Sequence, residues 1–220
     1  DAKTQAEAIA PDVVIKSAQD KREYAYKQLD NGLKVVVVSD PEADKAAASL
    51  DVHIGHMADP KDREGLTHYL EHMLFLGTGK YPEVGEYGKF ISKHGGSKNA
   101  GTGQEHTSYF FSIDNAQLEP ALDRFSRFFI DPLFKPEFVM KERNAVESEY
   151  SLKVKEDARR YREAVKQTVN QDHPMSQFSV GNLETLSDTE DSTILDDVKV
   201  HYDKYYSSDI MTLAVVGNYP

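Results

Sequence analysis

The chain of 220 residues contains no cysteine. This absence excludes disulfide bonds, thiolate metal sites and a cysteine nucleophile. A tight zinc site, if the chain has one, must therefore be built from histidine and carboxylate ligands.

Long apolar runs and a basic excess are missing as well. The longest aliphatic stretch, Val35 to Val38, has the length of a strand and not of a membrane-spanning helix. The net charge is -11 and no basic stripe is present, which disfavours nucleic acid and anionic membrane surfaces as partners. We therefore expect neutral or basic molecules, or a metal ion, as ligands.

We expect the chain to be a fragment or one piece of a longer polypeptide, because it stops just after an apolar segment. The first residue, Asp1, is not an initiator methionine, and no basic, apolar leader follows it. We expect residues 1–22, which are polar and alanine-rich, to form a flexible extension and residues 23–220 to form one folded domain. An apolar segment over 210–217 ends just before Pro220, so we expect further chain beyond it.

The strand pattern predicts the fold class. Asn31-Gly32 is a hairpin turn signal, and Tyr109, Phe111 and Ile113 alternate with polar residues as in a half-buried strand. Strands are predicted over 24–29, 33–40, 46–54, 97–102, 107–113 and 210–217. Because helices and strands do not alternate strictly, we predict an α+β fold with a mainly antiparallel sheet of about five to six strands packed against helices.

The helix pattern is equally regular. Gly77 and Gly79 end the first predicted helix, and Asp114 with Gln117 resembles a capping box for another, whose apolar stripe includes Phe125. In addition to the helix that Asp114 would begin, helices are predicted over 60–76, which is the one that Gly77 and Gly79 end, and over 84–94, 137–170 and 193–206. Residues 171–192 form a long polar loop, whose length favours a functional or partner-facing surface.

The segment His68-Tyr-Leu-Glu-His72 carries the clearest chemical signal. Residues four apart lie on one face of a helix, so two imidazoles at this spacing can hold one zinc ion. Glu71 lies beside them, within reach of a water molecule on the metal. This arrangement is the His-Glu-x-x-His zinc motif in reverse order, His-x-x-Glu-His.

The residues around the motif favour a metal over the alternative, which is a surface helix carrying two histidines near a glutamate. Leu66, Leu70, Met73 and Leu74 form an apolar stripe, so the helix is expected to be packed. Polar groups at the margin of a core need partners. One metal ion would satisfy both histidines.

A catalytic zinc site needs a third protein ligand. The predicted helix over 137–170 offers Glu142, Glu147 and Glu149. Glu142 and Glu149 are seven residues apart and share a face, whereas Glu147 points elsewhere. The alternative is a solvated helix face, and spacing alone leaves the choice open.

Several motifs together resemble the pitrilysin/insulysin family of inverzincin metallopeptidases. The first is Gly65-Leu-Thr-His-Tyr-Leu-Glu-His-Met-Leu-Phe-Leu-Gly-Thr-Gly79, followed directly by Lys80-Tyr-Pro82. The others are Gly96-Ser-Lys-Asn-Ala100, Glu105-His-Thr-Ser-Tyr109 and Glu142-Arg-Asn-Ala-Val-Glu-Ser-Glu149. The similarity extends from about Leu33 to Gly217, nearly the whole chain.

The resemblance implies roles for individual residues. The family's third ligand lies 77 positions after the second motif histidine, which here is Glu149. His68, His72 and Glu149 are therefore expected to bind one Zn²⁺, with Glu71 as general base and Glu142 orienting a ligand. Residues 23–220 would then form a zinc-binding peptidase domain, one unit of a clamshell enzyme.

The resemblance also implies a way of binding substrate. Family members bind peptides as an added strand along a sheet edge, at positions that match Asn99 and Ala100. The alternative for Asn99 is an ordinary turn residue after Gly95-Gly96.

Five other histidines are expected to be surface or capping residues: His53, His56, His94, His173 and His201. His106 lies in one of the matching segments but is given no role.

The expected function is a zinc-dependent endopeptidase acting on peptides or small proteins. Single-chain family members are about four times longer or pair with a second subunit, so a C-terminal half or second subunit is the expected partner, and the isolated chain is expected to be a poor peptidase. The alternatives are a non-catalytic structural or processing-type subunit and a zinc-storage module whose loop 171–192 binds a partner. The start at Asp1, together with the resemblance, favours the periplasm.

Overall fold

Six strands form one mixed sheet in the computed structural model, which describes residues 14–219. The spatial order is β1-β2-β6-β3-β5-β4, so β1 and β4 are the edge strands. The strands are β1 (Glu23–Gln28), β2 (Lys34–Ser39), β3 (Lys45–Val52), β4 (Ser97–Thr102), β5 (Thr107–Asp114) and β6 (Met211–Gly217).

The pairing of the strands confirms the predicted α+β class. Four of the five pairs are antiparallel, and β2 and β6 form the parallel one. The β1–β2 hairpin turns at Asn31-Gly32, as predicted, where Gly32 has a φ of 88°. That left-handed conformation is readily adopted by glycine.

The part of the chain that the structure describes contains six α-helices beside the sheet. They are α1 (Leu66–Met73), α2 (Glu86–Lys93), α3 (Leu118–Ser126), α4 (Val139–Lys153), α5 (Asp157–Lys166) and α6 (Ile194–Tyr205). Within residues 14–219, no helix combines the length and the apolar character that crossing a membrane requires.

One face of the sheet is packed, and the other is more exposed and carries both polar and apolar residues. Alternate residues of β3 and β5, among them Leu50 and Phe111, are buried in the main core. Helices α2 and α3 contact this part of the sheet. The opposite face carries polar residues such as Ser49 and Asp51. This division is typical of an antiparallel sheet that is covered on one side.

Helix α1 begins later than the sequence predicts. The predicted range was 60–76, but residues before Leu66 form turns, and Gly65 has a left-handed φ of 91°. The buried carboxylate of Asp59 accepts hydrogen bonds from the backbone N–H groups of Gly65 (2.9 Å) and Thr67 (2.8 Å). It thereby satisfies two donors that a helix start leaves unpaired. Burial raises the pKa of Asp59 to about 6, against these hydrogen bonds.

The prediction of one long helix over 137–170 is wrong, because this segment forms two helices, α4 and α5. Glu156 is extended, with φ −69° and ψ 128°, and separates α4 from α5. Neither proline nor glycine marks this break in the sequence. The Nζ of Lys166 in α5 donates a hydrogen bond of 2.7 Å to the carbonyl of Gln177, so tertiary contact helps to set the direction of α5.

Two smaller predictions have different outcomes. Asp114 does not cap a helix with its side chain, because a short 3-10 turn (Asn115–Gln117) intervenes before α3. Of the flexible extension predicted over 1–22, residues 1–13 lie outside the described part of the chain. Its remainder precedes β1, and the domain division stays a prediction.

Candidate metal centre

Helices α1 and α4 bring three metal-binding side chains together. His68 and His72 project from successive turns of α1, with ring centroids 4.9 Å apart. The Oε2 atom of Glu149 in α4 lies 3.6 Å from Nε2 of His68 and 3.7 Å from Nε2 of His72. One donor atom from each residue lies within 4.8 Å of the other two.

These separations fit a zinc ion. Ligand atoms at about 2.0–2.1 Å from a tetrahedral zinc are about 3.4 Å apart, close to the distances from Glu149 to both imidazoles. Two nitrogen donors and one carboxylate oxygen form a ligand set used by catalytic zinc sites, with the fourth position left for water or substrate. The donor set is thus chemically and sterically suited to zinc.

The second ring nitrogen of His68 is held by the loop that follows α5. Its Nδ1 lies 2.6 Å from the carbonyl oxygen of Val180. An N–H donated from Nδ1 to this carbonyl leaves the lone pair of Nε2 for a metal. Burial lowers the pKa of His68, but contacts with Glu149 and Val180 outweigh burial and raise the pKa overall. Zinc must therefore displace a proton when it binds at low pH.

Two glycines allow this loop to approach α1. A Cβ atom at Gly65 would lie 2.2 Å from the Cα of Gly181, which is a severe overlap. Gly181 also has a left-handed φ, of 80°. Close backbone contact between Gly65 and Gly181 therefore places the neighbouring carbonyl of Val180 against His68.

A carboxylate contacts His72, and a lysine contacts Glu149. The Oε2 of Glu142 lies 3.5 Å from Nδ1 of His72, the nitrogen that does not face Glu149. Lys153, one turn after Glu149, donates a hydrogen bond of 2.7 Å to Oε1 of that carboxylate. The contact with His68, and then that with Lys153, lowers the pKa of Glu149 well below its ordinary range. Glu149 is therefore ionised, the form that binds a cation.

Glu71 lies between the histidines and the sheet edge. It is buried, and its Oε2 accepts a hydrogen bond of 2.6 Å from the hydroxyl of Thr102 in β4. This bond fixes the direction of the carboxylate. Glu71 is thus held by a neighbouring strand and not by the metal-binding trio.

Asn99 and Ala100 lie in β4, next to the site. Among the described residues, 14–219, strand β4 pairs only with β5, so its other side is a free edge of the sheet. Both residues are part of regular strand structure and not of a turn. Their substrate-binding role stays a prediction, now with an edge strand to support it.

A cavity of about 640 Å³ joins these groups. Its walls include His68, Glu71 and His72 from α1, Asn99 and Ala100 from β4, and Glu142 and Glu149 from α4. Four cationic side chains also line it: Lys98, Lys153, Arg159 and Arg162. The cavity therefore places the predicted metal, base and peptide positions in one space.

Glu147, which the helix spacing predicted to point away from Glu142 and Glu149, does point away from the histidines. The Oε2 of Glu147 accepts a hydrogen bond from the backbone N–H of Leu183 and does not reach the histidines. His173 caps a short helix, as expected of the remaining histidines. His56 and His201, in contrast, are buried and not on the surface, which corrects that expectation.

The sequence reasoning missed the residues that contact the metal ligands and the base, among them Lys153, Thr102 and Val180. Lys153 could have been found, because it follows Glu149 at the helical spacing of four residues. Thr102 and Val180 carry no local signal. Each reaches the site from a different segment, so only the tertiary fold identifies them.

Comparisons with known proteins identify the family of the chain. Residues 34–181 match the profile of the insulinase family, peptidase family M16. The chain is 48% identical over 207 residues to the insulin-degrading enzyme of Bos taurus, covering 93% of this chain and 20% of that protein. It is 43% identical over 206 residues to the A-factor-processing enzyme of Saccharomyces cerevisiae, covering 92% and 20%.

A solved structure shares the fold. The crystal structure of pitrilysin superposes with a TM-score of 0.91 at 38% identity, covering 94% of this chain and 22% of that one. An α+β domain that carries the His-x-x-Glu-His motif on one helix is typical of the inverzincin class of metallopeptidases. The chain belongs to the insulinase family of peptidases, M16. Family membership and the three-donor site together confirm the prediction of a zinc cofactor.

Proposed function

We propose that the protein to which this chain belongs is a zinc-dependent endopeptidase that cleaves peptides or small proteins. The observation that carries the proposal is the meeting of His68, His72 and Glu149 beside a buried Glu71. Zinc, when held by these three residues, supplies Lewis-acid activation of water and of the scissile carbonyl.

The base in this proposal is Glu71. Its Oε2 is already occupied by the hydroxyl of Thr102, so Oε1 is the oxygen available to take a proton from the attacking water. The same carboxyl group then delivers that proton to the leaving amine as the peptide bond breaks. Glu142 and the carbonyl of Val180 act on the imidazoles, each holding the ring nitrogen that faces away from Glu149.

Substrate would lie along the free edge of β4. An extended peptide can add to such an edge through main-chain hydrogen bonds, which gives binding with little demand on sequence. Asn99 and Ala100 lie in this edge strand and would form these bonds, with the side chain of Asn99 as a further donor or acceptor. Peptide added here would pass the cavity that contains Glu71.

The chain spans about a fifth of the length of the curated relatives it matches. We propose that a further part of the enzyme, on the same chain or on a second subunit, completes the substrate site. Helices α1 and α4 and strand β4 border the cavity in this domain. The further part of the enzyme would close the cavity from the other side. The isolated domain is then expected to bind zinc and to cleave peptides poorly. A periplasmic location stays a proposal that rests on the sequence alone.

The test replaces Glu71 by glutamine in the full-length protein and measures zinc content and peptide turnover. Turnover should fall by at least a hundredfold, because the variant lacks the proton acceptor, while zinc content stays near one per chain. Glu137→Gln, an exposed carboxylate before α4, is the control and should change neither quantity.

Two results would reject the proposal. A Glu71→Gln variant with unchanged turnover would exclude Glu71 as the base. A zinc-loaded wild-type protein without turnover on any peptide would favour the non-catalytic subunit as the function.

A further inference from the structure

Lys98 is a charged residue of the cavity that the proposed reaction does not use. It lies in the edge strand β4, two residues before Ala100 and four before Thr102. Because side chains alternate along a strand, Lys98 shares a sheet face with Ala100 and Thr102. Thr102 on that face contacts Glu71, so Lys98 is on the side of the strand that faces the active site.

Two contacts set the position of the Lys98 ammonium group. The Nζ lies 4.1 Å from the ring centroid of Phe75, which follows the two histidines at the end of α1. On the other side, a Cβ atom at Gly88 of α2 would lie only 3.1 Å from Cε of Lys98. Glycine in a helix is unfavourable relative to alanine, and at this position it leaves room for the lysine. The side chain is thus held between α1 and α2.

The ammonium group of Lys98 differs from the other lysine of the cavity in its charge partners. Within residues 14–219, Lys98 forms no ion pair with a carboxylate, whereas Lys153 in the same cavity is paired with Glu149. Desolvation near the ring lowers the pKa of Lys98, although the residue is exposed at the sheet edge. Because the ammonium group of Lys98 lines the cavity without an anionic partner, an anionic group of a ligand can pair with it.

We propose that Lys98 is a specificity-determining residue that favours peptide substrates with an aspartate or glutamate side chain. The inference rests on the proposed peptidase function. A peptide paired with β4 places every second side chain on the face that Lys98 occupies. The acidic residue would therefore lie opposite Lys98, about 7 Å along the strand from the residue opposite Ala100.

The test uses the zinc-loaded, full-length protein and peptides that carry one glutamate, moved position by position across the cleaved bond. Each peptide has a partner with glutamine at the same position. The ratio of kcat/KM for the two peptides should reach about fivefold at one position in the wild type, the size expected for an exposed ion pair. Added salt should reduce this ratio.

Variants assign the preference to Lys98. Lys98→Met should bring the ratio to about one, and Lys98→Glu should invert it. Lys89→Met removes the same charge from an exposed position of α2 and should leave the ratio unchanged. Gly88→Ala keeps the charge but crowds Cε, and should reduce the ratio in part.

The outcomes separate this inference from the proposed function. A wild type that cleaves all peptides with equal kcat/KM for each glutamate and glutamine pair overturns the role of Lys98 alone. So does a preference that survives in Lys98→Met. A wild type without any turnover overturns the peptidase proposal. The paired peptides are then compared by fluorescence anisotropy, and equal affinities reject the role of Lys98 as well.

Discussion

The Nδ1 atom of His68 lies 2.6 Å from the carbonyl oxygen of Val180, a residue 112 positions further along the chain. The contact joins a helix that carries two metal-binding histidines to a loop without regular structure at that point. Through it, the loop sets which nitrogen of His68 is free to bind zinc. The long loop 171–192 therefore contributes to the site itself.

Gly65→Ala should weaken both the fold and zinc binding. The new Cβ would overlap Gly181 and displace Val180 from His68, on a backbone that is already left-handed. We expect a loss of about 1–3 kcal/mol in the free energy of unfolding and a 10–100-fold loss in zinc affinity. Urea denaturation and chelator competition measure the two effects.

Gly85→Ala is the matched control for this prediction. Gly85 also precedes a helix with a left-handed φ, of 82°, but its Cβ would meet no atom within 4 Å. The Gly85→Ala variant should have a lower free energy of unfolding because of backbone strain alone, and its zinc affinity should be unchanged. Equal zinc affinities in both variants would argue against the loop's role.

Glu142→Gln should weaken zinc binding without removing a ligand. The carboxylate faces Nδ1 of His72 at 3.5 Å, and an uncharged amide orients and polarises that imidazole less well. We expect a 10–100-fold loss in zinc affinity by chelator competition. Glu137→Gln should bind zinc like the wild type. An unaffected Glu142→Gln variant would show that the contact has no influence on the metal.

Thr102→Val should reduce catalysis while zinc stays bound. Valine has a similar shape but cannot donate a hydrogen bond, so the carboxylate of Glu71 loses its fixed direction. We expect kcat to fall about ten- to a hundredfold, since a misplacement of about 1 Å can cost a hundredfold, with zinc content unchanged. Thr102→Ser retains the hydroxyl and should recover most of the rate. If the serine variant is as slow as the valine variant, the hydrogen bond is not the cause.

The buried His201 should make the protein less stable at low pH. Burial lowers the pKa of His201 to about 4, whereas an unfolded histidine titrates near 6.5. Between these values the unfolded state binds the extra proton, so stability falls as pH decreases from about 6.5 to 4. The contribution of one such histidine is about 3 kcal/mol at most.

His201→Gln tests this dependence. The amide can still donate to the hydroxyl of Thr67, which lies 2.9 Å from Nε2 of the histidine. Urea unfolding of the metal-free protein at several pH values should give a shallower decline for the variant than for the wild type. A parallel decline would mean that other groups, such as His56, are responsible. The pKa of His56 is likewise lowered by burial, to about 4.

Much of the fold could be predicted because its signals are local. Alternation in β5 and the Asn31-Gly32 turn depend on neighbouring residues only, and both match the structure. The break between α4 and α5 had no such signal, since no proline or glycine occurs there. Interior packing also decided the burial of His201, which the sequence pattern placed at the surface.

The sequence by itself determined that His68 and His72 lie on one helix face with Glu71 beside them, because the helical repeat fixes that spacing. It also limited the third ligand to a few glutamates. The family resemblance pointed to Glu149, and the tertiary structure brings Glu149 to the histidines while Glu147 points to Leu183. Only the tertiary structure decided that Thr102 and Val180 hold the base and a ligand. Those contacts join segments separated by about 30 to 110 residues, and no local periodicity specifies how such distant segments pack.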